Sequence, residues 1–284
     1  MDAPQEFHYR LPYRVGGWRP GAHPGTRLGA GQEFVSHMSL YARPDPRRLD
    51  LRASLRDLSN DWLVRVHRQR ASVPVHAIVD VSASMAFGAR KTKLQVAADF
   101  VEALGQSAAR VGDALGMVAF DATERADLFV PAVVSRGVGA LMASMLRQAE
   151  TGARGFEGLE TAAQRIAGRR GLVFLVSDFH WPLERLTPFL HFLAHAHVVP
   201  IIVWDPAEIE PPAQDALATL GDAESGARRT LWLRPKLRSR WRDAVARRRT
   251  ELDGLFAVRA IRPFYVVGAF DADAMSQYFL EASA

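Results

Sequence analysis

The stretch Pro74 to Met85, PVHAIVDVSASM, constrains this chain more than any other. From Val75 to Val79 it is apolar apart from His76. Short, β-branched and opened by a proline, it predicts a buried strand of a parallel sheet. Its character then changes. Asp80, Ser82 and Ser84 alternate at the tip, and a helical pattern begins near Lys91. One carboxylate and two hydroxyls at alternate positions offer hard oxygen donors of the kind Mg²⁺ takes. The plainer reading of the same residues is a strand-to-helix turn whose Ser and Asp cap the helix.

From Pro74 onward the pattern is regular. Leu94, Ala97, Val101, Leu104, Ala108 and Val111 recur every three or four residues, predicting an amphipathic helix over about 91–111 that Gly112 and Asp113 end. Strands are expected at Ala114–Phe120, Leu128–Val134, Gly171–Val176, Val198–Trp204 and Thr230–Leu233. The gap from Asp121 to Asp127 is too short for a crossover helix, so its two strands should form an antiparallel pair. Helices are expected near 137–150, 157–168, 183–196, 235–255 and 272–282. Strands alternating with helices give an α/β, doubly wound, mostly parallel sheet with helices on both faces. Asp80 and Asp178 each end an apolar strand, so both belong on the carboxyl edge, where such sheets bind ligands.

Residues 1–70 read as an irregular N-terminal segment and 71–284 as the main domain with a C-terminal extension. The stretch GGWRPGAHPGTRLGAGQEF is rich in turn residues. In WLVRVHRQR, Leu63 to Val66 suggest an edge strand. The mixed charges of DPRRLDLRASLRD at 45–57 suggest a solvated face with local ion pairs.

With 284 residues, 48% of them hydrophobic, the chain can bury a sizeable core. It has no cysteine, which excludes disulfides, thiol catalysis and thiolate zinc sites, and fits a cytoplasmic protein. No apolar run approaches the length needed to cross a bilayer, and the opening residues lack a signal core. The net charge of +5 does not by itself argue for nucleic acid.

Other chemistry can be weighed from the residues. Ser82 and Ser84 lack the flanking glycines of a nucleophile elbow, which argues against a serine hydrolase, and a metal-dependent hydrolase would need a general base near Ser82, where the sequence shows no convincing one. GARKTK at 88–93 follows a strand and opens a helix, but lacks the spaced glycines of a phosphate loop. His191 and His195 are four apart, a zinc-like spacing, yet packed histidines on an apolar helix explain them better. The stretch Arg234 to Arg249 contains Lys236, Arg238, Arg240, Arg242, Arg247, Arg248 and Arg249, with Trp232 and Trp241 interleaved. It is either a nucleic-acid surface or a solvated helix face, and we expect the latter, with no nucleic acid partner.

The Asp-x-Ser-x-Ser tip between strand and helix is similar to the metal-ion-dependent adhesion site of von Willebrand factor A domains. The resemblance extends along the chain. Gly21 to His23, GQEF at 31–34, DPRRLDLRASLRD, VDVSASM, LVSDF at 175–179 and DAESG at 222–226 resemble domain-of-unknown-function family 58. Its members are von Willebrand A-like proteins typically encoded beside MoxR-type AAA+ ATPases. The opening HYRLPYR also resembles the MxaS branch, found with methanol dehydrogenase genes. The resemblance implies a von Willebrand A-like fold and a non-catalytic interaction module that works with such an ATPase to assemble or activate a client protein. It implies metal ligation by Asp80, Ser82, Ser84 and Asp178, with weak Mg²⁺ as the cofactor and a partner carboxylate completing the shell. It also implies a threonine on the middle loop. Phe156 stands there instead, with Thr151 and Glu157 as possible substitutes, so a degenerate site is equally in view.

Overall fold

The computed structural model describes residues 5–17, 19–29, 31–151, 155–168, 170–212, 217–221 and 228–282. These form two bodies: residues 11–73, and residues 5–10 together with those from Pro74 onward.

The first body is built on β1 (Pro20–Gly29), β2 (Glu33–Ser39), the short helix α1 (Leu51–Ser54) and β3 (Leu63–Ala71). Its strands make an antiparallel sheet in the order β1-β3-β2. Two expectations are corrected here. The Gly/Pro-rich segment is not irregular but supplies β1, and β3 is the central strand, not an edge. The glycines let backbones approach rather than turn: a Cβ at Gly25 or Gly31 would run into the carbonyl oxygens of Gln69 and Arg68. In β3, buried Val64 and Val66 flank exposed Arg65, the alternation of a half-buried strand. The charged stretch does contain a local pair, Asp45 with Arg48. Asp50, however, caps α1 by accepting the Ala53 N–H and reaches across to Arg65 Nε at 2.7 Å.

In the second body, β4 (Pro74–Asp80) leads to α2 (Lys93–Val111), β5 (Ala114–Phe120), β6 (Glu124–Val133), α3 (Val138–Gln148), α4 (Gly158–Ile166) and β7 (Leu172–Ser177). Then come α5 (Leu186–Phe192), β8 (His197–Trp204), α6 (Pro206–Ile209), the antiparallel hairpin β9 (Leu217–Gly221) and β10 (Arg228–Trp232), α7 (Pro235–Ala257), β11 (Phe264–Val267) and α8 (Ala272–Glu281). Six strands form one sheet in the order β11-β8-β7-β4-β5-β6. All pairings are parallel except β5 with β6, the expected antiparallel pair. This is the expected α/β architecture, a mostly parallel sheet with helices on both faces.

Alternation along the strands divides the core between the two faces. Phe174 of β7 meets Phe100 of α2 at 5.2 Å between ring centres. Phe7 joins that face: it is fully buried, 6.0 Å from Phe100, with its N–H on Ser107 Oγ. Val173 and Leu175 point the other way, with Ile78, against Leu159 of α4, Phe189 of α5 and Phe256 of α7. Each such side chain contributes roughly 1.5–3 kcal/mol by burial.

Two helix boundaries move from their expected places. Helix α2 starts at Lys93 because Thr92 caps it: Thr92 Oγ1 accepts the Gln95 N–H and Gln95 Oε1 accepts the Thr92 N–H. Its far end closes on Gly112 at φ +78°. The helix expected over 183–196 is a 3₁₀ turn, Leu183–Arg185, followed by α5. Because α5 stops at Phe192, His191 and His195 do not share a helical face.

Candidate functional site

Strand order reverses at β4: the chain builds outward to β5 and β6, then returns to place β7 on β4's other side. The crevice at this switch lies at the carboxyl ends of β4 and β7. Val79 pairs with Val176, so the register carries Asp80 to the level of Ser177. Asp80 Oδ2 accepts the Ser177 hydroxyl at 2.6 Å, and Oδ1 accepts the Ser82 N–H at 2.9 Å. Ser82 Oγ and Ser84 Oγ lie 3.2 Å apart. Asp178 follows directly; its Oδ1 accepts the His180 N–H and its carbonyl accepts Trp204 Nε1–H. Thus Asp80, Ser82, Ser84 and Asp178 all stand at one edge. All four are buried, at most 7% exposed.

Between these groups and β8 stands a residue whose role sequence reasoning missed. Lys93 Nζ donates to Asp178 Oδ2 at 2.5 Å and to Glu208 Oε1 at 2.6 Å, and the side chain is 2% exposed. Lys93 is the first residue of α2 and shares the stripe of Ala97, Phe100 and Leu104, which face the core. That spacing was the signal: a cation in phase with an apolar stripe must be buried, and a buried ammonium needs carboxylates. Glu208 closes the α6 capping box with Asp205, whose Oδ2 in turn accepts the Ala89 N–H at 3.0 Å. The loops after β4, β7 and β8 are therefore tied together by polar contacts that are buried at Lys93–Asp178 and part-buried at Lys93–Glu208 and Ala89–Asp205.

The chain after β7 is strained. Phe179 has φ +53°, a left-handed conformation costly for an aromatic residue. The Arg248 guanidinium of α7 holds this turn by donating to the carbonyls of Phe179 and Trp181, 2.5 Å each. Trp241 of α7 donates to the Glu208 carbonyl, and Arg249 lies over the Tyr265 ring. Three prominent side chains of the Arg-rich segment thus serve the protein's own structure. On the middle loop, Phe156 stacks on Trp181 at 5.0 Å between ring centres, and Glu157 turns back to accept the Phe156 N–H. Thr151 adjoins residues outside the described set, as DAESG lies outside it.

Burial and the nearby Asp178 carboxylate raise the Asp80 carboxyl to about 7, although hydrogen bonds from Ser177 and Ser82 oppose this. Burial alone would raise Asp178 too, but His180 and Lys93 outweigh it and hold that carboxyl below its ordinary value. Glu208 is lowered against burial by His180 and Lys93. Lys93 is raised against burial by Asp178 and Glu208. The charge arrangement is one firm carboxylate pair, Asp178 and Glu208, around an ammonium, with a third carboxyl, Asp80, beside it that holds its proton into the neutral range.

Whether a divalent ion fits can be judged from these donors. Asp178, His180 and Glu208 each bring one ligand atom within 4.8 Å of the others, a grouping that can hold a metal ion. The oxygens of Asp80, Ser82 and Ser84 are of the right hardness for Mg²⁺. The charge does not fit. The Lys93 ammonium already lies on Asp178 and Glu208. A dication about 4 Å from it would be repelled by about 8 kcal/mol at an effective dielectric constant of about 20. Phe156 adds an apolar ring where a neutral oxygen would serve.

The sequence matches the family described as protein of unknown function DUF58 over residues 43–251. It is 30% identical over 239 residues to the uncharacterized protein Rv1480 of Mycobacterium tuberculosis, covering 82% of this chain and 73% of that one. Among solved structures it is similar to the conserved hypothetical protein BatB from Bacteroides thetaiotaomicron, with 16% identity, a TM-score of 0.44 and coverage of 75% and 98% of the two chains. An aerotolerance-related membrane protein from Bacteroides fragilis is similar at 12% identity and TM-score 0.43, over 74% and 98%. Among the described residues, no helix is long and apolar enough to cross a membrane.

Proposed function

This chain belongs to the DUF58 family, and on that premise we propose that it is a non-catalytic protein-interaction module whose carboxyl edge docks a MoxR-type AAA+ ATPase. One observation carries the reading. The loops after β4, β7 and β8 are locked by Ser177 on Asp80, Lys93 on Asp178 and Glu208, and Ala89 on Asp205. Buried ionic networks contribute little net stability compared with apolar packing, so their use here favours specifying one loop arrangement. A preorganised loop face loses less entropy on docking.

The four predicted site residues are buried, so a partner meets what lies over them. Phe87, 45% exposed in the loop after β4, and the half-exposed His180 side chain are the candidates for direct contact. Mg²⁺ binding is weak in this reading, because Lys93 holds the charge. The protein works in the cytoplasm, where it helps the ATPase assemble or activate a client. The narrower resemblance of HYRLPYR to the MxaS branch makes a methanol dehydrogenase the client to test first. Nucleic acid has no place in the proposal: Arg248, Arg249 and Trp241 are engaged internally.

The test is direct. The purified chain is mixed with the purified MoxR-type ATPase of the same organism, with ATP, ADP or no nucleotide, and run by size exclusion. Co-migration in at least one nucleotide state supports the proposal. Two separate peaks in all three overturn it.

A further inference from the structure

We propose that the Lys93 ammonium is the resident cation of this carboxyl edge, and that a divalent ion binds there only by displacing it. This concerns what charges the edge rather than what docks on it, so it can stand or fall apart from the partner reading.

The geometry supports the exchange. Nζ lies 2.5 Å from Asp178 and 2.6 Å from Glu208, short charge-assisted contacts. An ammonium has three donors and no acceptor, and two of its donors are placed on carboxylates. The stem cannot swing aside without cost. It rises from the capped first turn of α2, 2% exposed, with Phe87 at 5.9 Å from the ammonium. The oxygens that would attract Mg²⁺ are therefore matched by a covalently attached charge that needs no supply from solution. Removing the ammonium alone would leave Asp178 and Glu208 facing each other across a part-buried space, with like charges that a divalent ion would relieve.

Lys93→Met keeps an unbranched stem and removes the charge. The double variant Lys93→Met/Asp178→Asn removes both charges of the pair. Mg²⁺ and Mn²⁺ binding is measured by calorimetry, and melting temperature is followed with and without each ion. Wild type should show no saturable binding below the millimolar range and no thermal response. Lys93→Met should bind at least about tenfold more tightly than wild type and gain melting temperature with ion, as linkage requires. The double variant should fold and ignore both ions. Tight binding by wild type that Lys93→Met leaves unchanged would overturn the proposal. So would a Lys93→Met protein that folds without responding to either ion, or one that fails to fold even when the ions are present.

Discussion

Lys93 Nζ lies 2.5 Å from Asp178 Oδ2, and neither side chain is more than 2% exposed. A helix and a strand 85 residues apart are joined by this contact. Breaking one side of a buried ion pair leaves an uncompensated charge, typically costing about 3–5 kcal/mol. Asp178→Leu should therefore destabilise the protein by about that much in urea denaturation, and Lys93→Met/Asp178→Leu by clearly less. A loss for the double variant equal to the sum of the losses for Asp178→Leu and Lys93→Met measured singly would show that the pair is not coupled.

Asp80 predicts a pH dependence of the opposite sign from most carboxylates. Its carboxyl titrates near 7 in the folded chain and near 4 when unfolded. Between those values the native state binds more protons than the unfolded state, so stability falls as pH rises from about 4 to about 7. Three units correspond to roughly 4 kcal/mol. Asp178 and Glu208, both lowered, act the other way. Their stabilisation is present above about 4 and is lost only as pH falls through their folded values. Denaturation at pH 5 and pH 7.5 should show Asp80→Asn gaining stability relative to wild type at the higher pH. An identical pH slope in the two proteins would contradict this.

Helices α2 and α3 meet at two glycines. A Cβ on Gly105 would lie 2.3 Å from the Gly139 Cα, a backbone atom that cannot rotate away. Gly105→Ala should destabilise by about 1–3 kcal/mol through overpacking, despite the better helix propensity of alanine. A variant as stable as wild type would mean that the two helices can separate freely.

Much of this was legible in the sequence because the relevant signals are local. The apolar run before Asp80 and the one before Asp178 each announce a buried parallel strand, and the short gap from Asp121 to Asp127 announces a hairpin. The glycines of β1 misled because a glycine serves a turn and a close backbone approach alike, and only the neighbour decides; here that neighbour is β3. The capping role of Glu208 is a local Asp205-x-x-Glu208 pattern, but its contact with Lys93 was not legible, since it depends on the loop after β8 meeting α2. Phe156 was visible as a departure from the adhesion-site pattern. Its stacking on Trp181 was not, because the two residues are 25 positions apart and joined only by the fold.

The central claim is that the carboxyl edge is a docking face that needs no metal. Its most direct test is the affinity for the MoxR-type ATPase, measured by interferometry for wild type with and without chelator, for Phe87→Asp at the edge, and for Val258→Asp. Val258 is 83% exposed at the far end of α7, which runs from the carboxyl edge back toward the start of β11. Wild type should bind equally well with chelator present, Val258→Asp should match it, and Phe87→Asp should weaken binding at least about tenfold, the loss of one buried aromatic contact. Binding abolished by chelator, or weakened by Val258→Asp and not by Phe87→Asp, would contradict the account.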